Sequence, residues 1–157
     1  MVGNIARNGR SIVVFMSEYR HNIDEKGRLI IPAKYRAELG ESFIITKGLD
    51  GCLFVYPDAE WTALTERMKE LPFTKSDARA FVRFFFSGAS ECNCDSQGRT
   101  VIPSNLRTYG QLDREAVIVG VGNRIEIWSG EKWEEFENSA EETYEDSAEK
   151  LTDLDLF

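Results

Sequence analysis

The chain carries one motif at two places in its sequence. Residues 24–36 and residues 95–107 both follow the pattern Asp-x-x-Gly-Arg-x-x-Ile-Pro-x-x-x-Arg, in identical register. Downstream, alternating apolar residues followed by a tryptophan also recur, at 53–61 and 125–133. An internal repeat constrains the architecture before any other feature, because each copy must be able to fold in the same way. Two copies are too few for a solenoid, so we expect two half-domains that complete one another's core.

Size and composition are those of a small globular protein. The chain has 157 residues, of which 42% are hydrophobic and 11% aromatic, and this suits one compact domain or two small modules with a shared core. No apolar run approaches the roughly 18 residues that a membrane span requires. The three cysteines are odd in number and indicate thiols in a reducing compartment. We therefore expect a cytoplasmic protein.

The negative charge is concentrated at one end of the chain. The formal net charge is −8, but residues 130–157 alone carry eleven acidic and two basic side chains. The rest of the chain is therefore close to neutral. Within it, residues 17–36 hold five basic side chains against three acidic ones. A basic patch on a nearly neutral body is compatible with phosphate binding, despite the low isoelectric point.

Each motif copy predicts a hairpin followed by a short helix. In the turns, Asp24 and Asp95 can accept hydrogen bonds from the backbone ahead, and Gly27 and Gly98 can adopt a positive φ. Branched residues then favour a returning strand, and the proline after them fits the start of a helix. Strands are predicted at 19–23, 28–31, 43–46, 52–56, 90–94, 99–102, 116–119 and 124–128, and short helices at 33–39 and from 103 to 110.

Three longer helices are predicted outside the motif. One is capped by Asp58, and another opens at Ser129 or Gly130. The third, residues 76–86, contains four phenylalanines and little polar surface. It is therefore either deeply buried or packed against a neighbouring subunit. Beyond Ala140 the glutamate-rich end is expected to fray into a solvated tail.

Residues that could support catalysis or metal binding are scarce. His21 is the single histidine, and no nucleophile motif accompanies it. Cys92 and Cys94 resemble half of a zinc site, but no further ligands stand at a suitable spacing. No glycine-rich phosphate loop or carboxylate dyad is recognisable. We therefore predict a protein that is not an enzyme, with no cofactor and no metal.

The basic residues around the motif are the best candidates for a functional site. Five belong to the first copy and two to the second, namely Arg20, Lys26, Arg28, Lys34, Arg36, Arg99 and Arg107. Guanidinium groups suit phosphates and guanine edges, so we predict that these side chains bind DNA. An RNA target is an open alternative, since a basic hairpin can bind phosphate on either polymer.

Two further alternatives concern the turns and the second copy. Arg28 and Arg99 could serve only to pair with the aspartates that begin their turns. The second copy has Gln97 and Asn105 where the first has lysines. It is therefore expected to add polar contacts and few phosphate contacts, or to act mainly as a structural partner.

The duplicated motif resembles that of a known family. Residues 19–32, residues 87–91 and the second motif copy closely resemble the bacterial MraZ regulators, and the resemblance covers about residues 15–144. It implies an α+β, mainly β fold of two tandem SpoVT/AbrB-type modules. These form a duplicated swapped-hairpin β-barrel with short helices and a helix after each module. The implied division is an N-terminal extension without function at 1–16, modules at 18–60 and 89–132, connecting helices at 61–88, and an acidic C-terminal helix or tail at 133–157.

The resemblance also implies a function. The family forms ring-shaped oligomers, binds DNA repeats upstream of the cell-division and cell-wall gene cluster, and associates with the nucleoid. This sequence matches the family's paired motif and its basic positions at Asp24, Arg28, Asp95, Arg99, Lys26 and Arg36. We therefore predict a sequence-specific transcriptional regulator that binds double-stranded DNA and no membrane. The alternative is an AbrB-type, antitoxin-like protein-interaction module whose acidic end occupies a partner protein.

Overall fold

The computed structural model describes residues 5–7 and 10–156. Within them are ten strands and five α-helices, so the predicted α+β class is confirmed. Where strands and helices were predicted, their bounds agree to within about two residues. The elements are β1 (Ile5–Arg7), β2 (Arg10–Ile12), β3 (Glu18–Asn22), β4 (Arg28–Ile30), α1 (Ala33–Leu39), β5 (Phe43–Lys47), β6 (Leu53–Pro57), α2 (Asp58–Met68), α3 (Ser76–Ser87), β7 (Ser90–Cys92), β8 (Arg99–Val101), α4 (Ser104–Tyr109), β9 (Glu115–Gly120), β10 (Ile125–Ser129), α5 (Gly130–Lys150) and a 3-10 helix (Thr152–Leu154).

The two motif copies exchange their hairpins. Six strands form one antiparallel sheet in the order β3-β9-β10-β6-β5-β7. Strand β3 belongs to the first copy but pairs with β9 of the second, while β7 of the second copy pairs with β5 of the first. Each copy therefore covers a strand edge that the other would leave unpaired. This is the swapped, duplicated arrangement that the resemblance implied.

The returning strands of the two hairpins pair with each other as a separate ribbon. In it β4 and β8 run antiparallel, with Leu29 opposite Thr100 at the centre. The flanking pairs are Arg28 with Val101 and Ile30 with Arg99. Arg28 and Arg99 are equivalent positions of the motif, and so are Ile30 and Val101. Each flanking pair therefore joins one arginine to one aliphatic residue, and an approximate twofold axis passes through the central pair. Since Leu29 and Thr100 are fully buried, the flanking side chains point outwards.

The hydrophobic core lies on both faces of the six-stranded sheet. One face packs with the ribbon, α1 and α4, through Leu29, Ile31, Tyr35, Ile102 and Leu106 among others. The other face is covered by α2, α3 and the first turns of α5, through Trp61, Leu64, Met68, Phe85 and Trp133. The ribbon and the three long helices therefore lie on opposite sides of the sheet.

One predicted helix end is confirmed, and two differ from their predictions. At the start of α5, the Ser129 hydroxyl accepts a hydrogen bond from the backbone N–H three residues on, at 3.1 Å, as an N-cap should. Asp58, predicted as a cap, is instead the first residue of α2, and Pro57 takes the cap position. The predicted fraying beyond Ala140 is wrong, since α5 remains helical to Lys150.

The predicted N-terminal extension, residues 1–16, lies partly outside the described residues. Near its end, Phe15 is buried in the core and forms a bridge with Gly122. The Tyr35 hydroxyl donates to the carbonyl oxygen of Met16 at 2.6 Å. The boundary at residue 16 thus stays a prediction, while the last residues before it pack with the modules. In the described part of the chain, every helix is too short or too polar to span a membrane.

Candidate nucleic-acid interface

The first turn is built around the Asp24 carboxylate. Its Oδ1 accepts the backbone N–H groups of Lys26 and Arg28, each at 2.9 Å, and its Oδ2 accepts Arg28 Nε at 2.6 Å. Gly27, with a φ of 78°, closes the turn by donating its N–H to the Asp24 carbonyl at 3.0 Å. The backbone N–H of Arg28 does most to lower the pKa of Asp24, and the Arg28 side chain adds to it.

The second turn repeats this network bond for bond. Oδ1 of Asp95 accepts the backbone N–H groups of Gln97 and Arg99 at 2.9 Å, and Oδ2 accepts Arg99 Nε at 2.9 Å. Gly98 also has a φ of 78°. The backbone N–H of Arg99 does most to lower the pKa of Asp95. Both turns therefore contain the Asp–Arg pair that the sequence suggested.

Each pair leaves part of its arginine available. Among the described residues, Arg28 and Arg99 donate side-chain hydrogen bonds only through Nε, so their terminal nitrogens are open to a ligand. Each side chain is about a quarter exposed. Because the aspartate already holds the guanidinium, less side-chain entropy is lost when its fork meets a phosphate or a guanine edge. The turns thus position the two arginines and leave their terminal nitrogens available for a ligand.

The outward side of the ribbon forms one small surface, which we call the ribbon face. It consists of Arg28, Ile30, Arg99 and Val101, related by the approximate twofold axis. Ile30 and Val101 are 40% and 55% exposed. These two residues are not among the predicted site residues, although their alternation with Leu29 and Thr100 along the strands is a signal in the sequence. Exposed aliphatic groups between two cations can contact thymine methyl groups.

The two turns stand at opposite ends of the ribbon. Backbone hydrogen bonds of 2.9 Å run from Ile31 N to Gly98 O and from Ile102 N to Gly27 O. Strand residues rise by about 3.3 Å each, so the steps from Gly27 to Ile31 separate the turns by roughly 13 Å. The ribbon face therefore lies between two matching turns.

Two of the predicted DNA-binding arginines lie against the turns. Arg36 on α1 packs on Gly98 of the other copy and donates from Nη1 to the Ile31 carbonyl. Arg107 on α4 packs on Gly27, where an added Cβ would lie 2.7 Å from the guanidinium carbon. Both arginines are half-buried, and Arg107 Nε is buried without a hydrogen-bond partner among the described residues. Each short helix thus supports the other copy's turn, and direct DNA contact by this pair stays a prediction.

The remaining predicted cations are spread along the first hairpin and its helix. Lys26 in the turn and Lys34 on α1 are exposed and have no salt bridge within the described residues. Arg20 lies on β3, in the six-stranded sheet, and pairs with Glu115 at 2.8 Å. The structure therefore keeps Lys26 beside the ribbon face and places Arg20 in a different sheet.

The thiols and the histidine form no comparable site. Cys52, Cys92 and Cys94 are free, and burial raises the pKa of each, to about 12 for Cys52. Protonated thiols are poor nucleophiles and poor metal ligands. His21 is half-buried on β3. Across residues 5–7 and 10–156, no three potential metal ligands come together.

Comparisons with known proteins agree on one family. The family model described as "MraZ protein, putative antitoxin-like" matches residues 14–84 and again residues 85–155. The chain is 58% identical to "Transcriptional regulator MraZ" of Desulforamulus reducens over 141 residues, 90% of this chain and 99% of the relative. It is 59% identical to the protein of that name from Pelotomaculum thermopropionicum over 143 residues, 91% of this chain and 99% of the relative. For the Moorella thermoacetica protein the identity is 58% over 143 residues, 91% of this chain and 100% of the relative.

Proposed function

The chain belongs to the MraZ family, and from that membership we propose that it is a transcriptional regulator that binds double-stranded DNA through the ribbon face. The observation that carries the proposal is the paired geometry of Arg28 and Arg99, each held by an aspartate with its terminal nitrogens open. The relatives are named as transcriptional regulators, which supports regulation rather than catalysis.

The proposed mode of binding is a ribbon in the major groove. That groove is about 12 Å wide and admits a two-stranded β-ribbon. The two turns, roughly 13 Å apart, then approach the backbones on either side. In this position Arg28 and Arg99 donate to guanine O6 and N7, while Ile30 and Val101 meet thymine methyl groups. Because the face is nearly twofold symmetric, its short target is expected to be close to palindromic.

The phosphate contacts are proposed to come mainly from the first copy. Lys26 extends from one end of the ribbon, and Lys34 adds charge on the adjoining helix. The equivalent positions, Gln97 and Asn105, can donate hydrogen bonds but carry no charge. Each cation that neutralises a phosphate releases counterions, so binding by one chain should be weak and dependent on salt. Arg36 and Arg107 are proposed to assist by holding the turns, beside any direct contact with DNA.

Several finer features of the proposal are those that the sequence resemblance to the family implies. The target is a series of short promoter repeats upstream of the cell-division and cell-wall gene cluster. A homo-oligomeric ring would present several ribbon faces to successive repeats, and such linkage raises avidity by orders of magnitude over one site. The protein would then act in the cytoplasm, in association with the nucleoid.

The experiment is a mobility-shift titration and footprint on the DNA upstream of the protein's own gene. Arg28→Ala should lower the affinity for the specific site roughly 10- to 100-fold, as expected for the loss of one bidentate base contact, and Arg28→Lys should restore little of it, because an ammonium lacks the planar fork. Arg83→Ala is the matched control, because it removes an exposed arginine from α3, which lies on the opposite side of the sheet from the ribbon. The melting temperature is measured for each variant. Unchanged affinity of a normally folded Arg28→Ala variant would refute the proposal.

An antitoxin-like role is the second candidate. The matching family model includes "putative antitoxin-like" in its description, and the acidic half of α5 is exposed. In that case the segment after Tyr144 would occupy a partner protein. Deleting it would then abolish capture of that partner and leave DNA binding intact. If the deletion variant captures the same proteins as the full chain, this candidate is excluded.

A further inference from the structure

Helix α5 loses contact with the rest of the protein after its first turns. Trp133 and Phe136 pack on Trp128 of β10, with ring centroids 5.4 and 5.1 Å from it. From residue 137 to the end of the helix, nearly every side chain is exposed. A helix segment without tertiary packing is only marginally stable in water, since most helical stability comes from a packed apolar face. The far half of α5 therefore lacks a partner among the described residues of its own chain.

The far half of α5 nevertheless carries an apolar stripe. Ala140, Tyr144 and Ala148 continue the spacing of Phe136 at every fourth residue, and Leu151, directly after the helix, follows three residues later; residues at this spacing share one face of a helix. Tyr144 is 73% and Leu151 45% exposed. The other faces are strongly acidic, because residues 137–157 hold eight acidic side chains and one basic one. Anchors at this spacing are typical of helix-in-groove recognition.

A groove of suitable character opens between α2, α3 and the turn that joins β5 to β6. We call it the α2–α3 groove; it encloses a cavity of about 250 Å³, with Tyr56, Leu64, Met68, Phe81, Phe84 and Lys47 in its walls. Phe81 and Phe84 are exposed at its rim. Large exposed aromatic residues grouped around a cavity mark a surface for binding a partner. This also explains why the phenylalanine-rich helix has so little polar surface.

The charge of the α2–α3 groove complements that of the stripe. Of the described residues, Lys47 is the single charged one in its walls, and its Nζ lies 3.6 Å from the centre of the Phe84 ring. The groove therefore offers an apolar floor with a cation at the edge. The far half of α5 offers apolar anchors flanked by carboxylates. Opposite charges at the edge of an apolar contact favour this pairing over that of two like surfaces.

The stripe and the groove do not meet within one chain. Helix α5 is continuous over 21 residues, which corresponds to roughly 32 Å, and both its stripe and the groove remain exposed. We propose that the far half of α5 of one copy lies in the α2–α3 groove of a second copy. This contact gives a structural basis to the assembly that the proposed function invokes. Because stripe and groove are different surfaces, copies join head to tail, and such contacts close into rings when the rotation allows.

The test is a complementation experiment between two variants of the full chain. In the stripe variant, Tyr144→Ser and Leu151→Ser remove the anchors and leave the groove intact. In the groove variant, Phe81→Asp and Phe84→Asp spoil the groove and leave the stripe intact. Phe73→Asp is the matched control, because Phe73 is 80% exposed and lies outside the groove. The mass of each protein in solution is measured alone and after equimolar mixing.

The expected pattern is specific to a head-to-tail contact. The wild type and the Phe73→Asp control should have several times the mass of one chain. The stripe variant alone and the groove variant alone should each have the mass of a single chain. Mixing the stripe and groove variants should give a one-to-one dimer, in which one intact stripe occupies one intact groove. Assembly of the groove variant alone would show that stripes pair with stripes. Assembly of the stripe variant alone would show that grooves pair, and a monomeric wild type would show that the groove binds something else.

Folding and DNA binding are followed separately in the same samples. If Phe81→Asp with Phe84→Asp lowers the melting temperature strongly, Lys47→Glu replaces it, since it changes only the charge at the groove edge. The stripe variant and the groove variant should both still shift a duplex carrying a single target site, because the ribbon face is unchanged in each. They should lose the extra affinity for a duplex with several repeats. If Arg28→Ala loses single-site binding and still assembles, the proposed DNA contact and the proposed assembly contact are independent of each other.

Discussion

The turn at residues 24–28 and the turn at residues 95–99 share one backbone and differ in the charged side chains that they carry. In both, an aspartate accepts two backbone N–H groups and one Nε, and a glycine adopts a φ of 78°. Between these fixed positions, Glu25 and Lys26 of the first turn are replaced by Ser96 and Gln97 in the second. The fold thus depends on the aspartate, glycine and arginine, because they satisfy the turn's geometry. The two positions that differ leave the fold intact and decide whether the turn offers a lysine to DNA.

The largest stability loss is expected when either turn glycine is replaced. Gly27→Ala and Gly98→Ala each place a side chain at a left-handed φ and drive its Cβ against the arginine of the other copy. We expect each to lower the free energy of unfolding by about 2–3 kcal/mol. Gly122→Ala has a positive φ but open space around it, so it should cost less. Urea unfolding measures all three, and equal losses would contradict the close packing at the turns.

The two supporting arginines should have smaller and unequal effects. Arg36 donates a hydrogen bond to a backbone carbonyl, whereas Arg107 Nε has no partner in the described part of the chain. Arg36→Ala is therefore expected to cost about 1–2 kcal/mol, and Arg107→Ala less. Amide hydrogen exchange should locate each effect in the other copy's turn. Increased exchange in the variant's own turn only would contradict the crossed support.

Exchanging the charges of the turns should alter salt dependence. Lys26→Ala is expected to reduce the slope of log affinity against log salt by about one, since one phosphate contact is lost. Gln97→Lys should increase it by a similar amount, because the second turn would then carry a lysine at the position equivalent to Lys26. Mobility shifts at several salt concentrations measure both slopes. If Gln97→Lys has no effect, the second turn does not approach the phosphates.

Acid should weaken both turns to a similar, small extent. The folded-state pKa of Asp24 and of Asp95 lies below the ordinary value of 3.8, so each carboxylate stabilises the fold fully above that value. The contribution is lost as the pH falls through the lowered pKa. The melting temperature of the wild type should therefore fall more steeply below about pH 4 than that of Asp24→Asn with Asp95→Asn. If the two curves of melting temperature against pH are parallel, the aspartates do not contribute to the loss of stability in acid.

The sequence predicted local features of the fold better than long-range ones. The turns at Asp24 and Asp95 follow from residues that are neighbours in the chain, because side-chain caps and a positive φ act over four residues. The pairing of β3 with β9 depends instead on contacts about a hundred residues apart, and only the family resemblance anticipated it. Likewise, no spacing rule places Arg107 against Gly27. The helical end of α5 was missed because its acidic composition alone suggests a solvated tail.

The site could be predicted only in part for a similar reason. Arg28 and Arg99 belong to the repeated motif and are recognisable as a pair. Arg36 belongs to it as well, yet it packs inwards, because α1 turns that side of the helix towards the other copy. Charge counting cannot separate an arginine that supports a turn from one that faces solvent. Which of these two roles an arginine has depends on its neighbours in the folded protein, and those neighbours are distant in the sequence.

The most direct measurement compares Arg99→Ala with Arg28→Ala for affinity to the specific site and to an unrelated duplex, with melting temperatures taken alongside. The twofold ribbon predicts that each variant loses roughly 10- to 100-fold in affinity for the specific site, corresponding to one bidentate base contact. Binding to the unrelated duplex should change much less. If Arg99→Ala folds normally and binds the specific site like the wild type, the second copy is only a structural partner and the twofold account is contradicted.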